Sequence, residues 1–408
     1  MEQFERIGTL IHERWRAANF DEVVFPDIAI AALEELPPVD YVTPDDVVRW
    51  ALSSCHTVPQ TDPSAKFGEP PITVFFTPRF YIEILFWLDG TTQIHQHSFS
   101  GAFYVLDGSS VHTTYDFQVD DRINSNLQLG ALKVLDVELL GRGNCHAIRA
   151  RTLMHALFHL ERPSVSIVIR TPGELENLPQ LSYEPPCLAY VRQTPAMPST
   201  KILQVLRLAI KTRQDWRGLV VDSLQRSDFE TAYRIINLVF AEFNGLPAVA
   251  PFFDVMATVH GARAARIPAL FEEKVRQQQI ISKRASITRF EHRFFLALLL
   301  NVPTRRQLLE LVGRRYPERP SVDTVMAWVA ELAGPLDDTG NNLLGVPLDD
   351  TALAVLRSLL DGKRGSAVLA DLVDGGFDPD NVDAEASGIG ELETAYRDSL
   401  IFRRLVNE

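Results

Sequence analysis

The chain has little cysteine and fewer basic than acidic residues. Its 408 residues include three cysteines, Cys55, Cys145 and Cys187, which lie far apart. This odd, scattered set excludes a disulfide framework and a Cys-x-x-Cys zinc site, and it suits a reducing compartment. The net charge of −13 argues against nonspecific binding to nucleic acid or to an anionic membrane surface.

Signals for membranes and for nucleotide cofactors are missing from the sequence as well. The most apolar run, residues 294–300, is far shorter than the roughly 20 residues that a membrane-spanning helix needs. The opening residues are charged and mixed, so we expect no secretory signal peptide. No Gly-rich phosphate loop or dinucleotide fingerprint occurs. We therefore expect a globular, cytoplasmic protein with no membrane segment.

Histidine is concentrated in one part of the chain, because six of the ten histidines lie between His95 and His159. Residues two apart in a strand point to the same face, so His95 and His97 can place both imidazoles on one metal ion. His155 is the preferred third ligand, and His159 is the alternative to it. Three neutral imidazoles would leave coordination positions open, as a catalytic metal site requires.

Short strand-like segments separated by turn residues follow one another in the first half of the chain. This pattern indicates an all-β barrel or sandwich rather than βαβ units. The predicted strands are residues 72–76, 80–87, 101–106, 111–117, 131–140 and 164–170.

Helical periodicity precedes and follows the strands. A proline-rich stretch at residues 172–198 marks the clearest boundary. The predicted fold class is α+β, with a β-barrel domain followed by a mostly α-helical domain. We predict an N-terminal helical segment (1–62) packing on the barrel, the barrel with its metal site (63–190) and the helical domain (198–408).

Part of the helical domain suggests a winged-helix module. Two predicted helices flank residues 315–320, and residues 343–346 could add a short strand. Such modules also dock peptides and proteins, so we expect a partner protein or a homodimer through this domain and no nucleic acid.

The spacing of glycines and histidines is similar to the two motifs of the cupin superfamily, with Gly90 before the His-x-His pair and Gly108 after it. The closer resemblance is to the cysteine dioxygenase branch and covers about a hundred of the 408 residues. It is carried by residues 79–87, 94–101, 114–117 and 155–172. The resemblance implies Fe(II) on His95, His97 and His155, with open positions for substrate and O₂. Zn(II), Ni(II) or Mn(II) could occupy the same ligands.

The chain also departs from that family. Gly101 stands where the cupin motif usually has a glutamate, which leaves a three-His site. The position of the family's cross-linked cysteine falls at Gly101 or Ala102. In its Ser-His-Tyr relay only Ser166 is kept, because Val168 and Arg170 replace the other two residues. These departures argue against free cysteine as the substrate.

Candidate substrate-site residues follow from strand parity. Arg170 shares a face with Ser166 and Val168, and an inward arginine needs an anionic partner. That partner is either a substrate carboxylate or an internal Asp or Glu. Ser166 and Tyr104 are predicted hydrogen-bond donors at the site. His112 is expected to pack nearby or to support a metal ligand.

The histidine pattern together with the resemblance implies a cupin-type mononuclear non-haem iron oxygenase. Its substrate would be a thiol, an amino-acid-like molecule, or a peptide or carrier-bound group, together with O₂. The alternative is a non-enzymatic cupin that senses a metal or ligand and carries a helical interaction domain.

Overall fold

The structure is a computed structural model. It describes residues 1–53, 58–61, 68–88, 90–172, 180–191, 197–334, 342, 344, 348–379, 382 and 386–407.

The β-structure occupies the first half of the chain, as predicted, and each of the six predicted strand segments is confirmed. Within the described ranges, five further strands of two to six residues lie among and after them. The strands are β1 (Pro71–Phe76), β2 (Tyr81–Trp87), β3 (His95–Gln96), β4 (Gly101–Asp107), β5 (Ser110–Arg122), β6 (Leu127–Leu140), β7 (Cys145–Ile148), β8 (Met154–His159), β9 (Ser164–Arg170), β10 (Leu181–Glu184) and β11 (Leu188–Val191).

The strands form two sheets. One has five strands in the order β1-β2-β9-β4-β7, and the other is a closed ring in the order β10-β11-β6-β5-β8-β3. The pairings that matter for the site are antiparallel: β3 with β8, β5 with β8, and β9 with both β2 and β4. Closure leaves the strands of the ring without exposed edges. The fold is thus a β-barrel domain followed by helices.

Helices precede and follow the strands. They are α1 (Glu2–Ala17), α2 (Phe25–Glu35), α3 (Pro44–Ser53), α4 (Met197–Thr212), α5 (Trp216–Arg226), α6 (Phe229–Phe243), α7 (Leu246–Val249), α8 (Phe253–His260), α9 (Ile267–Ser282), α10 (Phe290–Asn301), α11 (Arg305–Arg315), α12 (Ser321–Ala333), α13 (Asp350–Leu360), α14 (Ser366–Asp374), α15 (Ala386–Asp398) and α16 (Arg403–Val406). Short 3₁₀ segments cover Pro38–Asp40, Ala250–Phe252, Gly261–Arg266 and Lys283–Ala285.

The N-terminal helices cover one face of the five-stranded sheet. Phe4 and Ile7 of α1 and Phe25 of α2 are fully buried, and they share a core with Ile84 of β2 and Ile167 of β9. Burying side chains of this size stabilises the packing by about 1.5–3 kcal/mol each. The other face of the same sheet is therefore the one left to line a pocket.

The fold divides into two compact units. One comprises Met1–Asp136 and Leu140–Val275, and the other comprises Arg276–Glu408 with Val137–Leu139. In the first unit, residues of α6 and α9 share a core with strand residues Leu127 and Leu188. The three-domain boundaries drawn from the sequence stay a prediction.

The second unit is helical and is built around α10, whose residues His292–Asn301 are buried. The buried Arg276 guanidinium donates hydrogen bonds to the carbonyls of Leu299 and Leu300 at 2.9 Å, at the negative end of the α10 dipole. Helices α11 and α12 flank residues 316–320, so the connection is one residue shorter than the predicted 315–320, because Arg315 ends α11. Most of the predicted strand at 343–346 lies outside the described residues.

None of the helices in the described ranges is long and apolar enough to span a membrane.

Gly101 allows β4 and β9 to approach closely behind the pocket. A Cβ added at Gly101 would lie 1.8 Å from the backbone oxygen of Ile169, which no side-chain rotation can relieve. The register places Gly101 directly opposite Arg170. The absence of a side chain at Gly101 therefore sets how close β9, and with it Arg170, lies to β4.

We predict that Gly101→Ala destabilises the protein by about 2–3 kcal/mol, because the new methyl group forces two backbones apart. The matched control is Gly218→Ala on α5, where a Cβ meets no atom within 4 Å. That variant should gain about 0.5–1 kcal/mol from helix propensity. Urea denaturation of both variants measures the difference, and equal stability of Gly101→Ala and wild type would contradict the close approach.

Candidate metal centre

Strand pairing brings the three predicted histidine ligands together. His95 on β3 pairs directly with His155 on β8. His97 follows β3 and is two residues from His95, so its ring reaches the same place. The three side chains are 6%, 5% and 3% exposed in chain order, so bulk water has little access to them.

The ring nitrogens of the three histidines converge. The Nε2 atoms of His97 and His155 lie 2.8 Å apart, and potential ligand atoms of all three residues lie within 4.8 Å of one another. Their ring centroids are 4.7–4.9 Å apart. In the described part of the chain, no carboxylate or thiol belongs to this group.

Hydrogen bonds orient two of the rings from behind. The Nδ1 atom of His95 lies 2.7 Å from the carbonyl oxygen of Gln93, and it donates because a carbonyl can only accept. The Nδ1 atom of His155 lies 2.9 Å from Nε2 of His112. Metal-ligating histidines commonly have such a partner on the ring nitrogen that faces away from the metal.

Burial keeps the rings of His97 and His155 neutral. It is the largest cause that lowers the pKa of His97 and of His155 well below the usual value, and neighbouring His95 lowers both further. Arg170 also lowers the pKa of His97. A neutral imidazole has a lone pair to offer, which is the form that binds a metal ion.

The arrangement fits a divalent transition-metal ion. The Nε2 atoms of His97 and His155 lie 2.8 Å apart, so both could reach one ion at the usual metal–nitrogen distance of about 2.1 Å. An all-imidazole set suits iron, zinc, nickel or copper more than calcium or magnesium. These residues can therefore hold such an ion.

The histidines form part of the wall of a cavity of about 40 Å³. The five-stranded sheet contributes the opposite wall through β2, β4 and β9. Most of the lining is apolar, and the charged residues in it are Glu83 and Arg170. The remaining lining residues are Leu85, Trp87, Thr92, Phe99, Phe103, Ile148, Leu157, Ser166 and Val168.

Arg170 lines this cavity, and it also has an internal acidic neighbour. Its Nη1 atom lies 3.8 Å from Glu83 Oε2, which is longer than a hydrogen bond. Its guanidinium lies 3.9 Å from the centre of the Phe99 ring, and its buried Nε has no hydrogen-bond partner among the described residues. Glu83 is only 7% exposed and accepts a hydrogen bond from Thr61 at 2.6 Å. The guanidinium is thus held in place with donor capacity to spare.

The structure places one of the two predicted hydrogen-bond donors at the cavity. Ser166 lines it, and its Oγ accepts a hydrogen bond from Trp87 Nε1 at 2.8 Å. Tyr104 does not reach the cavity, so this assignment is corrected. Successive residues of β4 point to opposite faces, so Phe103 lines the cavity while Tyr104 packs with the α1 and α2 core. Burial there raises the pKa of the Tyr104 phenol.

The alternative third ligand, His159, lies outside the histidine group. Its Nδ1 lies 2.8 Å from Ser110 Oγ and 2.7 Å from Ser164 Oγ, and its ring stacks on Trp87 at 4.6 Å. Of the two candidates, His155 is the one that meets His95 and His97.

Sequence reasoning missed Glu83 as a site residue. It is a single carboxylate inside the apolar strand β2, with Ile82 and Ile84 on either side. A charged residue inside a buried strand needs a partner, so a lone glutamate between two isoleucines could have identified Glu83 as a site residue.

Comparisons with known proteins gave weak structural similarity. No protein-family model and no curated protein matches the chain. An oxalate decarboxylase variant from Bacillus subtilis is 17% identical over 23% of this chain and 22% of its own, with a TM-score of 0.17. This chain thus spans less than a quarter of that enzyme.

Two other solved structures are similar over a comparable stretch. A protein with a double-stranded β-helix domain from Klebsiella pneumoniae is 14% identical over 29% of this chain and 91% of its own, with a TM-score of 0.20. A hydroquinone 1,2-dioxygenase from a Sphingomonas species is 11% identical over 26% of this chain and 68% of its own, with a TM-score of 0.20. At such low TM-scores these similarities add nothing to the description of the fold, which depends on the strand pairings of this chain alone.

We predict that Tyr104→Phe leaves the metal content of the protein unchanged, because the hydroxyl lies on the opposite face of β4 from the cavity. The hydroxyl lies in the core that β4 shares with α1 and α2, so the variant should change stability by about 1 kcal/mol at most. Elemental analysis and urea denaturation measure the two effects. Loss of metal without loss of stability would place Tyr104 at the site after all.

Proposed function

We propose that this chain is a mononuclear non-haem iron oxygenase in which His95, His97 and His155 hold Fe(II). The observation that carries the proposal is the meeting of three buried imidazoles at the wall of a small cavity that also contains an arginine. Structural metal sites usually have four protein ligands, whereas three leave room for substrate and O₂. Zn(II), Ni(II) and Mn(II) fit the same nitrogens, so the native metal has to be measured.

When bound, Fe(II) would supply the electrons that activate O₂ and a positive charge that attracts an anionic substrate. Arg170 would bind a carboxylate of the substrate through its spare N–H donors. Phe99 and Phe103 would exclude water from that contact and strengthen it. Ser166, held by Trp87, would offer its hydroxyl proton to a substrate oxygen or sulfur. Together these residues fix the substrate's orientation beside the histidines.

The size of the cavity limits what can react there. Its 40 Å³ is enough for about three water molecules at the 10–15 Å³ that each needs. A small thiol or carboxylate fits, and a peptide or carrier-bound substrate could insert only its reacting end. The helical part of the chain would then serve larger substrates, a partner protein or a second copy. These substrate and partner classes are part of the proposal.

The first test is metal content after anaerobic purification. Wild-type protein should hold about one iron per chain, and His97→Ala should hold little, because two imidazoles bind far more weakly than three. His260→Ala, which changes a histidine remote from the cavity, is the matched control and should keep its iron. Equal iron content in His97→Ala and wild type would disprove the ligand assignment.

The second test is O₂ consumption by the iron-loaded protein with small thiols and amino-acid-like carboxylates. We expect substrate-dependent uptake in the wild type and none in His97→Ala. Tight binding of these compounds without O₂ consumption would indicate the non-enzymatic sensor instead. Turnover with Zn(II) and without O₂ would indicate a hydrolase or isomerase.

We predict that Arg170→Gln lowers kcat/KM for an anionic substrate by about 10- to 100-fold, chiefly through KM. A hydrogen bond to a charged group contributes about 1.5–3 kcal/mol, which corresponds to that range. Steady-state kinetics measures the effect, and Arg217→Gln on the exposed surface of α5 is the control. An unchanged KM would show that Arg170 only balances Glu83.

A further inference from the structure

His112 lies behind the metal centre and contacts one of its proposed ligands. It is 1% exposed on β5, and its Nε2 lies 2.9 Å from Nδ1 of His155 on β8. The register pairs Thr114 with His155 and His112 with Leu157, so His112 and His155 are diagonal neighbours on one face. The contact is therefore set by the strand pairing rather than by a loop.

The orientation of the His155 ring decides which of the two histidines donates this hydrogen bond. Its Nε2 points at His97, at 2.8 Å, and must carry a lone pair to bind a metal ion. A neutral imidazole with a lone pair on Nε2 carries its proton on Nδ1. His155 then donates to His112, and His112 accepts through an unprotonated Nε2.

His95 gives an internal comparison. Its Nδ1 donates to the Gln93 carbonyl at 2.7 Å, so a backbone group fixes that ring. His155 has the imidazole of His112 in the same role. Because His112 is almost completely buried, water cannot easily take over as the acceptor if the imidazole is removed.

The surroundings of His112 hold its ring in one orientation. Phe103 meets it edge to face at 5.6 Å between centroids, and His146 meets it at 5.0 Å. Phe103 in turn lines the cavity. The ring is thus packed on its sides while its Nε2 faces His155.

We propose that His112 is a positioning residue, which fixes the tautomer and the ring orientation of His155 and thereby sets the affinity of the site for its metal. The inference rests on the metal centre of the proposed function. It adds a role for a residue that does not line the cavity and is not one of the three proposed ligands. Partners of this kind typically contribute 10- to 100-fold in metal affinity.

Two variants at position 112 distinguish the effect of the hydrogen-bond acceptor from the effect of side-chain packing. His112→Phe fills the space without an acceptor, whereas His112→Gln keeps an acceptor oxygen at a similar reach. His159→Gln is the control, because it removes another buried imidazole that is not part of the histidine group. Zn(II) affinity is measured on each protein by competition with a chelator, and circular dichroism checks that each is folded.

We expect His112→Phe to bind Zn(II) 10- to 100-fold more weakly than wild type, and His112→Gln and His159→Gln to stay within about threefold. Wild-type affinity in His112→Phe would overturn the inference. Equal weakening in His112→Phe and His112→Gln would also overturn it, since the acceptor would then be irrelevant. Failure of the wild type to bind any metal would instead overturn the metal centre itself, and this inference with it.

A second measurement needs no variant. In the Zn(II)-loaded wild type with ¹⁵N-labelled histidine, long-range ¹H–¹⁵N spectra report which ring nitrogen carries the proton. His155 and His112 should both be protonated on Nδ1, with Nε2 of His112 unprotonated. A proton on Nε2 of His112 would overturn the inference even if the substituted proteins fail to fold.

Discussion

The direct pairing of His95 with His155 across two antiparallel strands is the constraint on which the site depends. Residues directly opposite one another in such a pair have Cβ atoms about 5 Å apart, so their rings meet without distortion of the backbone. A slip of one residue would turn one ring to the other face. The closed ring of strands opposes that slip, because β3 is held by β10 on its other side. His97 lies two residues after His95, so the two-residue period of a strand places its ring on the same face as the other two.

The surroundings of the site combine an apolar lining with a few fixed polar groups. Three buried imidazoles are tolerable only while they are neutral, since a buried charge without a partner is costly. Phe99 and Phe103 maintain that neutrality by excluding water. The hydrogen bonds behind His95 and His155 supply the polar contacts that these rings require when no metal is bound. The protein can therefore form the site before an ion arrives.

The sequence predicted the elements of the site better than the faces they present. The histidine spacing and the longer strands were recognisable because period two and β-branched composition extend over six or more residues. Strand β4 is buried on both faces, so its apolar sequence does not distinguish the face of Phe103 from that of Tyr104. Strand β3 has only two residues, too few for any period. Its partner β8 depends on long-range pairing, which a local pattern does not encode.

Arg170 and Glu83 show how the cavity can hold a cation without losing its capacity to bind an anion. At 3.8 Å, Glu83 is near enough to offset much of the arginine's charge but too far to occupy its donors. The carboxylate is itself anchored by Thr61, and the guanidinium rests on Phe99, so neither group can close the gap freely. A substrate carboxylate would meet a preoriented guanidinium and would not have to displace Glu83 from it. The nearby Glu83 carboxylate thus stabilises the partly exposed Arg170 guanidinium while leaving its donors available for binding.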